Sequence, residues 1–496
     1  MFRCLFFILF LLPGKQQVAA AGFEFTSNCK LAYNHVIELN FVQATQLLNT
    51  EKSLHPGNGA VHYIENYRDF LKAFISEEES DFFIFKYNFD KRLDFIEKNS
   101  DNSAWINMAK GEMLLEFAIL KLKRKEYLSA GYYIRKAFKL LEENQNKYPA
   151  FLPNLKALGF LHIVIGAVPE NYKWLSNLVG MKGTISGGSN ELSYLLSKLE
   201  KNEELGFLQT EVSFIKIFTA THFEKNLPAA NAILKKIKNN STASNQLFTF
   251  LEANTYMASG NSAEALKIIK AVKPGSQSYP LYYLQYLTGI LKLSNLDLEA
   301  STNFIKYTEN FKGTGFIKSS NHKLAWISLM KNDTSGYNRY IKKVITSGND
   351  FTDEDKQALK EATNKELPNI FLLRSRLLFD GGNYNEALAE LTGKPSTSFP
   401  RYRDQLEYTY RLARIFDKKG QTEKAIKYYN TTYENGMRTE WYYAANAALH
   451  TGMLYETKGD KINAAAWYKK CLELRNHEYQ NSIDQKAEAG MNRISE

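Results

Sequence analysis

The hydrophobic positions of this chain recur at a spacing that predicts pairs of antiparallel α-helices. A small residue is followed twelve positions later by alanine and four positions after that by a large apolar residue, as in Gly452, Ala464 and Tyr468. Helices of a hairpin approach closely only where small side chains meet, while large residues one turn away fill the flanking space. The spacing recurs at Ala413, Ala425, Tyr429; Ala253, Ala265, Ile269; Ser375, Ala387, Leu391; Ala32, Ala44, Leu48; Ala118, Ala130, Ile134; and, with a weaker first position, Thr288, Ala300, Phe304.

The predicted turns agree with this pattern. In segments 258–265, 381–387, 418–425 and 457–464, glycine stands where the first helix stops, and a polar residue then opens the second helix. Glycine closes helices because it adopts the left-handed backbone conformation without strain. The sequence therefore predicts stacked helix–turn–helix pairs and an all-α fold.

These features resemble the tetratricopeptide repeat (TPR). The resemblance is clearest over residues 245–310 and 370–475, with one further repeat at 25–58. It implies an alpha-alpha superhelix of TPR-like hairpins, in which the first helix of each pair lines an inner groove. It also implies a scaffold that binds other proteins or peptides without catalysis, although this architecture serves many ends.

A glycine- and proline-rich segment at about 149–190 interrupts the repeats. Its Gly159, Pro169, Trp174 and Gly180 resemble a segment of the TPR family that includes the fungal mitochondrial inclusion-body-clearance protein, with Met181 in place of the family's aromatic residue. The chain also resembles exported repeat proteins of Bacteroidetes-type bacteria. One interpretation is a specialised or membrane-facing surface. We favour the other, a bend that requires close backbone approach at glycine.

The first residues have the pattern of a secretory signal peptide. Arg3 precedes the apolar run Cys4–Leu12, which is too short to span a bilayer, and small residues end the segment at Ala21. We expect a signal peptide at 1–21, an N-terminal TPR-like region at 22–240 and a C-terminal TPR solenoid at 241–496. We expect the mature chain in the periplasm or cell envelope, without a transmembrane segment, and associated with the outer membrane only through partners.

The remaining chemistry is sparse. Cys29 and Cys471 fall at packing positions, which predicts buried free thiols rather than a disulfide. The net charge of +10 comes from lysines dispersed among glutamates, so we expect no nucleic-acid partner. The histidines form no HExxH motif, and His35 and His162 are expected to be core residues. The sequence also has no GxSxG motif and no phosphate loop. We therefore predict no enzyme, no cofactor and no metal site.

One glycine motif and two acidic runs are interpreted as structural features and not as ligand sites. The glycines of 313–315 lack the strand and helix context of a nucleotide site. The acidic runs 77–79 and 353–355 lack the alternating ligands of a calcium loop. The second acidic run has the composition of a helix's first turn, where the helix dipole favours carboxylates.

Binding is expected on the first helices of the repeats. The register places six candidate partner-binding residues on the inner face: Tyr282, Gln285, Lys292, Tyr410, Arg414 and Asp417. Tyrosine with mixed charge suits docking of a peptide or helix. The alternative is a carbohydrate- or small-ligand-binding accessory protein of an envelope uptake system, because aromatic residues such as 282–286 and 441–443 also stack on sugar rings. That alternative requires exposed, coplanar rings in one groove.

Overall fold

The computed structural model describes residues 22–98, 103–168, 180–240, 245–272, 277–364 and 366–495. Within these ranges the chain forms 24 α-helices and no β-strand, so the all-α prediction is confirmed. The first ten helices are Ser27–Ile37 (α1), Phe41–Leu54 (α2), Gly59–Ser76 (α3), Glu79–Lys98 (α4), Ala104–Lys123 (α5), Tyr127–Lys147 (α6), Leu155–Ala167 (α7), Ile185–Leu199 (α8), Gln209–His222 (α9) and Leu227–Asn240 (α10).

The second part of the chain continues the array of hairpins. Its helices are Gln246–Ala258 (α11), Ser262–Ala271 (α12), Tyr283–Leu293 (α13), Ala300–Asn310 (α14), Ile317–Met330 (α15), Thr334–Thr346 (α16), Asp353–Thr363 (α17), Ile370–Asp380 (α18), Tyr384–Leu391 (α19), Tyr402–Lys418 (α20), Thr422–Gly436 (α21), Tyr443–Thr457 (α22), Lys461–Glu473 (α23) and Gln480–Ser495 (α24). None of the described helices is both long enough and apolar enough to cross a membrane.

The predicted small positions lie where the two helices of a pair meet. A Cβ atom at Gly452 of α22 would stand 2.6 Å from the Tyr468 ring of α23. In the α13–α14 pair the close approach falls at Gly289, whose added Cβ would be 2.8 Å from the Phe304 ring. The sequence pattern placed this contact one residue earlier, at Thr288, which is also buried.

The predicted turns are confirmed by the backbone. Gly260, Gly382, Gly420 and Gly459 have φ angles of +75°, +84°, +70° and +76°. An L-residue with a side chain rarely adopts this conformation, which explains why glycine stands at these four helix ends.

The array coils back on itself after about 240 residues. The amide of Tyr279 donates to the carbonyl oxygen of Leu39 at 2.8 Å, and the amides of Thr314 and Gly315 donate to the carboxylate of Glu77 at 3.0 and 2.7 Å. These contacts join the turns of the α1–α2 and α3–α4 pairs to two successive later loops. Neighbouring coils of the superhelix are therefore held together by polar contacts.

The glycine-rich segment brings α7 and α8 into backbone contact. A Cβ atom at Gly188 would stand only 2.2 Å from the carbonyl oxygen of Gly159, and one at Gly183 would be 2.7 Å from the backbone of His162. This close approach is the packing role that we expected for the segment. The predicted features at 169–179, which include Pro169 and Trp174, lie outside the described residues.

The inner face of the N-terminal helices is filled by a polar cluster. The buried ammonium of Lys156 on α7 lies 2.6 Å from the Glu211 carboxylate of α9 and 3.0 Å from the Glu112 carboxylate of α5. It also donates to the hydroxyl of Tyr33 on α1 at 2.7 Å, and the Tyr63 hydroxyl of α3 donates to Glu112. Five first helices thus meet at one buried lysine. Cys29 and Cys471 are buried free thiols, as predicted.

Candidate partner-binding groove

The C-terminal helices leave their inner face open. Helices α15, α18, α20 and α22 line a groove that is bounded on one side by Asn364 and residues 366–369 and on the other by residues 478–479. A cleft of about 690 Å³ continues from it past Arg401, Arg403 and Trp441. We call the surface formed by His322, Trp326, Arg376, Arg403, Glu407, Arg411, Tyr442 and Glu478 the inner groove.

Opposite charges alternate along the inner groove. Arg376 lies 3.3 Å from Glu361, Arg403 lies 3.8 Å from Glu478, and Arg411 forms an ion pair with Glu407 one turn earlier on α20. Although burial raises it, the pKa of Glu361 is brought down to about 2, chiefly by the charge of Arg376 and also by that of Lys323. Glu361 is therefore an ionised carboxylate inside the groove at neutral pH.

Two cations near the groove are Lys323 and Arg414. Neither has a carboxylate within 4 Å among the described residues. The Lys323 ammonium stands 3.7 Å from the centre of the Trp326 ring, and burial together with the charge of Arg376 lowers its pKa to about 8. The Arg414 guanidinium donates to the Tyr410 hydroxyl at 3.1 Å and lies 5.0 Å from the centre of the Phe379 ring. Both cations are thus held by aromatic groups.

A neutral imidazole lies beside these charges. His322 is 2% exposed, and burial lowers its pKa to about 3, so it carries no charge at neutral pH. One ring nitrogen is 3.3 Å from Glu361, and the other has no hydrogen-bond partner among the described residues. The groove therefore combines paired charges, aromatic residues and an uncharged histidine, and two cations without carboxylates lie near it.

The six predicted partner-binding residues are distributed as follows. Arg414 points between α20 and α18, whereas Tyr410 is 4% exposed and its ring contacts those of Tyr442 and Tyr443 at 5.8 and 5.6 Å. Asp417 accepts a hydrogen bond from the Tyr429 hydroxyl at 3.0 Å. The structure thus gives Tyr410 and Asp417 packing roles within the repeats.

The other three candidates lie near the α13–α14 pair. Gln285 accepts from Asn303 of α14 at 3.1 Å, and Lys292 is 3.9 Å from Asp297 in the turn between the helices. The Tyr282 ring contacts those of Tyr279 and Phe311. Partner binding through these six residues stays a prediction.

Sequence reasoning chose Arg414 but missed Arg376, Arg403 and Arg411, which line the groove. Arg403, Glu407, Arg411 and Arg414 lie on one face of α20 at spacings of four, four and three residues, which is a recognisable helical stripe. Arg376 reaches the inner groove from α18, and no local sequence pattern predicts that contact.

The aromatic runs noted in the sequence pack between helices. Tyr283 contacts the rings of Tyr286 and Phe316 at 5.5 and 4.8 Å, and Tyr442 contacts Tyr443 at 4.4 Å. These contacts account for the rings without any ligand. The carbohydrate-binding alternative was based on these clusters. It stays a prediction, because the rings that pack in this way do not form an exposed coplanar platform.

Comparison with known proteins agrees with this architecture. The fold and groove define a helical-repeat protein of the interaction type. Its repeats are tetratricopeptide repeats where the sequence model of that family matches, at residues 406–432 and 445–478. These ranges fall on α20–α23 and the loop that follows. No curated protein matches the sequence.

Several solved structures align with the chain at low identity. A chain of the Naa15/Naa10 complex bound to HypK-THB is 13% identical over 94% of this chain and 65% of that chain, with a TM-score of 0.24. A chain of the Cut9–Hcn1 hetero-tetramer of the APC/C is 11% identical over 95% and 90%, with a TM-score of 0.27. Yeast Tom70 is 12% identical over 94% and 89%, with a TM-score of 0.24. This chain therefore spans slightly less than two thirds of the first of these three chains.

Proposed function

We propose that this protein is an exported scaffold of the cell envelope that holds a partner protein in the inner groove and catalyses no reaction. The carrying observation is the pair of cations without carboxylates, Lys323 and Arg414, set beside aromatic residues. TPR repeats support the protein-interaction role. The signal-peptide pattern of residues 1–21 supports the location, with release of the segment after Ala21.

The charges of the groove favour a partner segment that carries carboxylates. Arg376, Arg403 and Arg411 are already paired, so a carboxylate from outside competes for them, whereas Lys323 and Arg414 accept one without losing an ion pair. Bidentate arginine–carboxylate contacts are short and directional. Tyr442 adds a half-buried aromatic ring beside the charges, whereas Trp326 is buried. An acidic segment with apolar residues between its carboxylates fits this arrangement.

The test is affinity capture of residues 22–496 from gently solubilised envelopes of the protein's own cells, read by mass spectrometry. The wild-type chain should recover one protein at near-equal amounts. The variant Lys323→Gln with Arg414→Gln should recover at least about tenfold less, because it loses both cations. Raised salt should also weaken wild-type recovery.

A matched control places the same loss of charge on outer helices. Lys306→Gln with Lys427→Gln removes two exposed lysines from α14 and α21, and it should recover the partner like the wild type. Circular dichroism checks that every variant is folded. Recovery of the bait alone, or equal recovery by the groove variant, would contradict the proposed role of the groove.

A further inference from the structure

The N-terminal outer helices carry a cluster of exposed apolar side chains. On α4 these are Phe83, Ile84 and Tyr87, and on α6 they are Leu128 and Tyr132, preceded by Tyr127 at the start of that helix. Leu128 is 96% exposed and Tyr87 is 69% exposed. Contiguous exposed apolar surface on a soluble domain marks a contact site. We call these six residues the outer patch.

Polar and aromatic contacts place the two helices side by side. Arg124, just before α6, lies 2.8 Å from Glu79, the first residue of α4. Nearly three turns further along α4, the ring of Phe89 is 6.3 Å from that of Tyr133 on α6. The helices therefore run in the same direction with their first turns adjacent, and the outer patch spans both of them.

The inward packing of both helices uses other side chains. Helix α4 packs inward through Phe82, Phe85 and Phe89, and α6 packs through Ala130 and Ala137. The outward positions of α21, another second helix of a pair, are polar by contrast: Glu423, Lys424, Lys427, Glu434 and Asn435. The apolar composition of the outer patch is thus a local departure from the pattern of the repeats.

Cations surround the outer patch. Lys86, Lys91, Arg135 and Lys136 are exposed. None of them lies within 4 Å of a carboxylate in the described part of the chain, and the Lys91 ammonium stands 3.6 Å from the centre of the Tyr87 ring. The exposed carboxylates of α4 are Glu79, Asp90, Asp94 and Glu97. Because Glu79 and Glu97 form ion pairs with Arg124 and Lys110, the four cations beside the outer patch face only Asp90 and Asp94 on this helix, and positive charge is in excess there.

We propose that the outer patch docks on an anionic lipid surface. Exposed aromatic and aliphatic side chains on adjacent helices, flanked by lysine and arginine, are the chemistry by which helices lie in the headgroup region of a membrane. Lysines near an anionic surface add electrostatic attraction that falls off within a Debye length. Leu128 projects from the surface, and an interface that yields to a protruding side chain fits it better than a rigid protein surface.

This docking is independent of the inner groove, which lies on other helices. The groove variant Lys323→Gln with Arg414→Gln should therefore bind lipid like the wild type. Failure of the lipid experiment would leave the groove proposal in place, and failure of the capture experiment would leave the lipid proposal in place. One chain that used both surfaces would hold its partner against a membrane.

The test is flotation of purified residues 22–496 with vesicles of phosphatidylcholine alone or with about one third phosphatidylglycerol. The wild-type chain should float with the anionic vesicles and remain at the bottom with neutral ones. Phe83→Ser with Leu128→Ser should reduce the bound fraction at least about tenfold. Lys86→Gln with Lys136→Gln should weaken binding several-fold and flatten its dependence on salt.

The control is Ile462→Ser, which removes an isolated side chain of α23 that is 84% exposed and should leave flotation unchanged. All substituted positions are exposed, and thermal unfolding confirms that each variant is folded. Absence of flotation, equal flotation with neutral vesicles, or unchanged flotation of the Phe83 and Leu128 variant would overturn the proposal. Capture of a protein that depends on the outer patch, without flotation, would also overturn it and assign the surface to that protein.

Discussion

The buried carboxyl group of Glu116 should make folding less stable as pH rises. This side chain of α5 is 7% exposed and accepts a hydrogen bond from the Asn66 amide at 2.6 Å. Burial and the negative charge of Glu112 raise the pKa of Glu116 well above its ordinary value of 4.5. The charge of Lys156 opposes this rise, but that ammonium is already engaged by Glu112 and Glu211. Glu116 is therefore protonated in the folded protein well above pH 4.5.

The sign and size of the effect follow from proton binding. Above a pH of about 4.5 the unfolded chain releases this proton while the folded chain retains it, so the folded state binds more protons. The free energy of unfolding then falls by about 1.4 kcal/mol for each pH unit, from about pH 4.5 until the raised pKa is reached. Glu116→Gln removes this loss, since its carboxamide stays neutral and keeps an oxygen that accepts from Asn66.

The assay is urea unfolding followed by far-UV circular dichroism, at several pH values from about 4 to 7. The stability difference between Glu116→Gln and the wild type should grow in favour of the variant by about 1.4 kcal/mol per pH unit above about pH 5. Below that, both side chains are neutral and the difference should be constant. Glu142→Gln, on the exposed face of α6, is the control and should not change the slope.

A flat difference between pH 5 and 7 would refute the reasoning. It would show that Glu116 is ionised in the folded protein and that its charge is compensated within the cluster. A variant less stable than the wild type by the same amount at every pH would have the same meaning, because the carboxyl would then contribute only as a hydrogen-bond partner.

Three further predictions concern packing and helix ends. Gly131→Ala should stabilise the protein by about 0.5–1 kcal/mol because its Cβ meets no atom within 4 Å. Gly111→Ala places its Cβ 2.6 Å from a leucine side chain and should destabilise the protein by about 1–3 kcal/mol. Thermal unfolding of the two variants checks this, and equal shifts in the unfolding temperature would contradict it. Glu77→Gln should speed trypsin cleavage after the exposed Lys312, since it weakens the carboxylate that holds residues 314 and 315; an unchanged rate would mean that the loop is held otherwise. Asp355→Asn should cost about 1–2 kcal/mol and speed amide exchange at the start of α15, where this carboxylate accepts two backbone amides; unaltered exchange there would argue against the cap.

The helical hairpins could be predicted because their determinants are local. Gly452 and Tyr468, which contact each other, lie within 17 consecutive residues. The glycine that forms the turn lies between them. The coiling of the array is different, because it depends on small rotations that add from pair to pair. Sequence reasoning noticed the acidic run at Glu77 and the glycines around Thr314 but had no means of joining them across more than 200 positions.

The groove was harder to predict than the fold because residues of the same helix either face the groove or pack against the next helix pair. The register chose α20, where TPR repeats are matched, and included Arg414. It also chose Tyr410, whose ring is buried against the next pair. A tyrosine four residues before an arginine has the same sequence spacing whether it faces the groove or the neighbouring helix. Only the angle between consecutive pairs decides this, and that angle is a property of the assembled superhelix.

The inner face of the first helices is closed in the N-terminal part of the superhelix and open in the C-terminal part. In the N-terminal part the first helices converge so closely that Tyr33, Lys156 and Glu211 meet in the interior. Their polar side chains bond to one another there, so the inner face is closed as far as the structure describes this part of the chain. In the C-terminal part the equivalent face stays open around Arg376 and Arg411. A partner of the N-terminal part must therefore contact the outer helices, where the exposed apolar residues of α4 and α6 lie. Closure of one inner face thus explains why the candidate binding surfaces lie on opposite sides of the repeats.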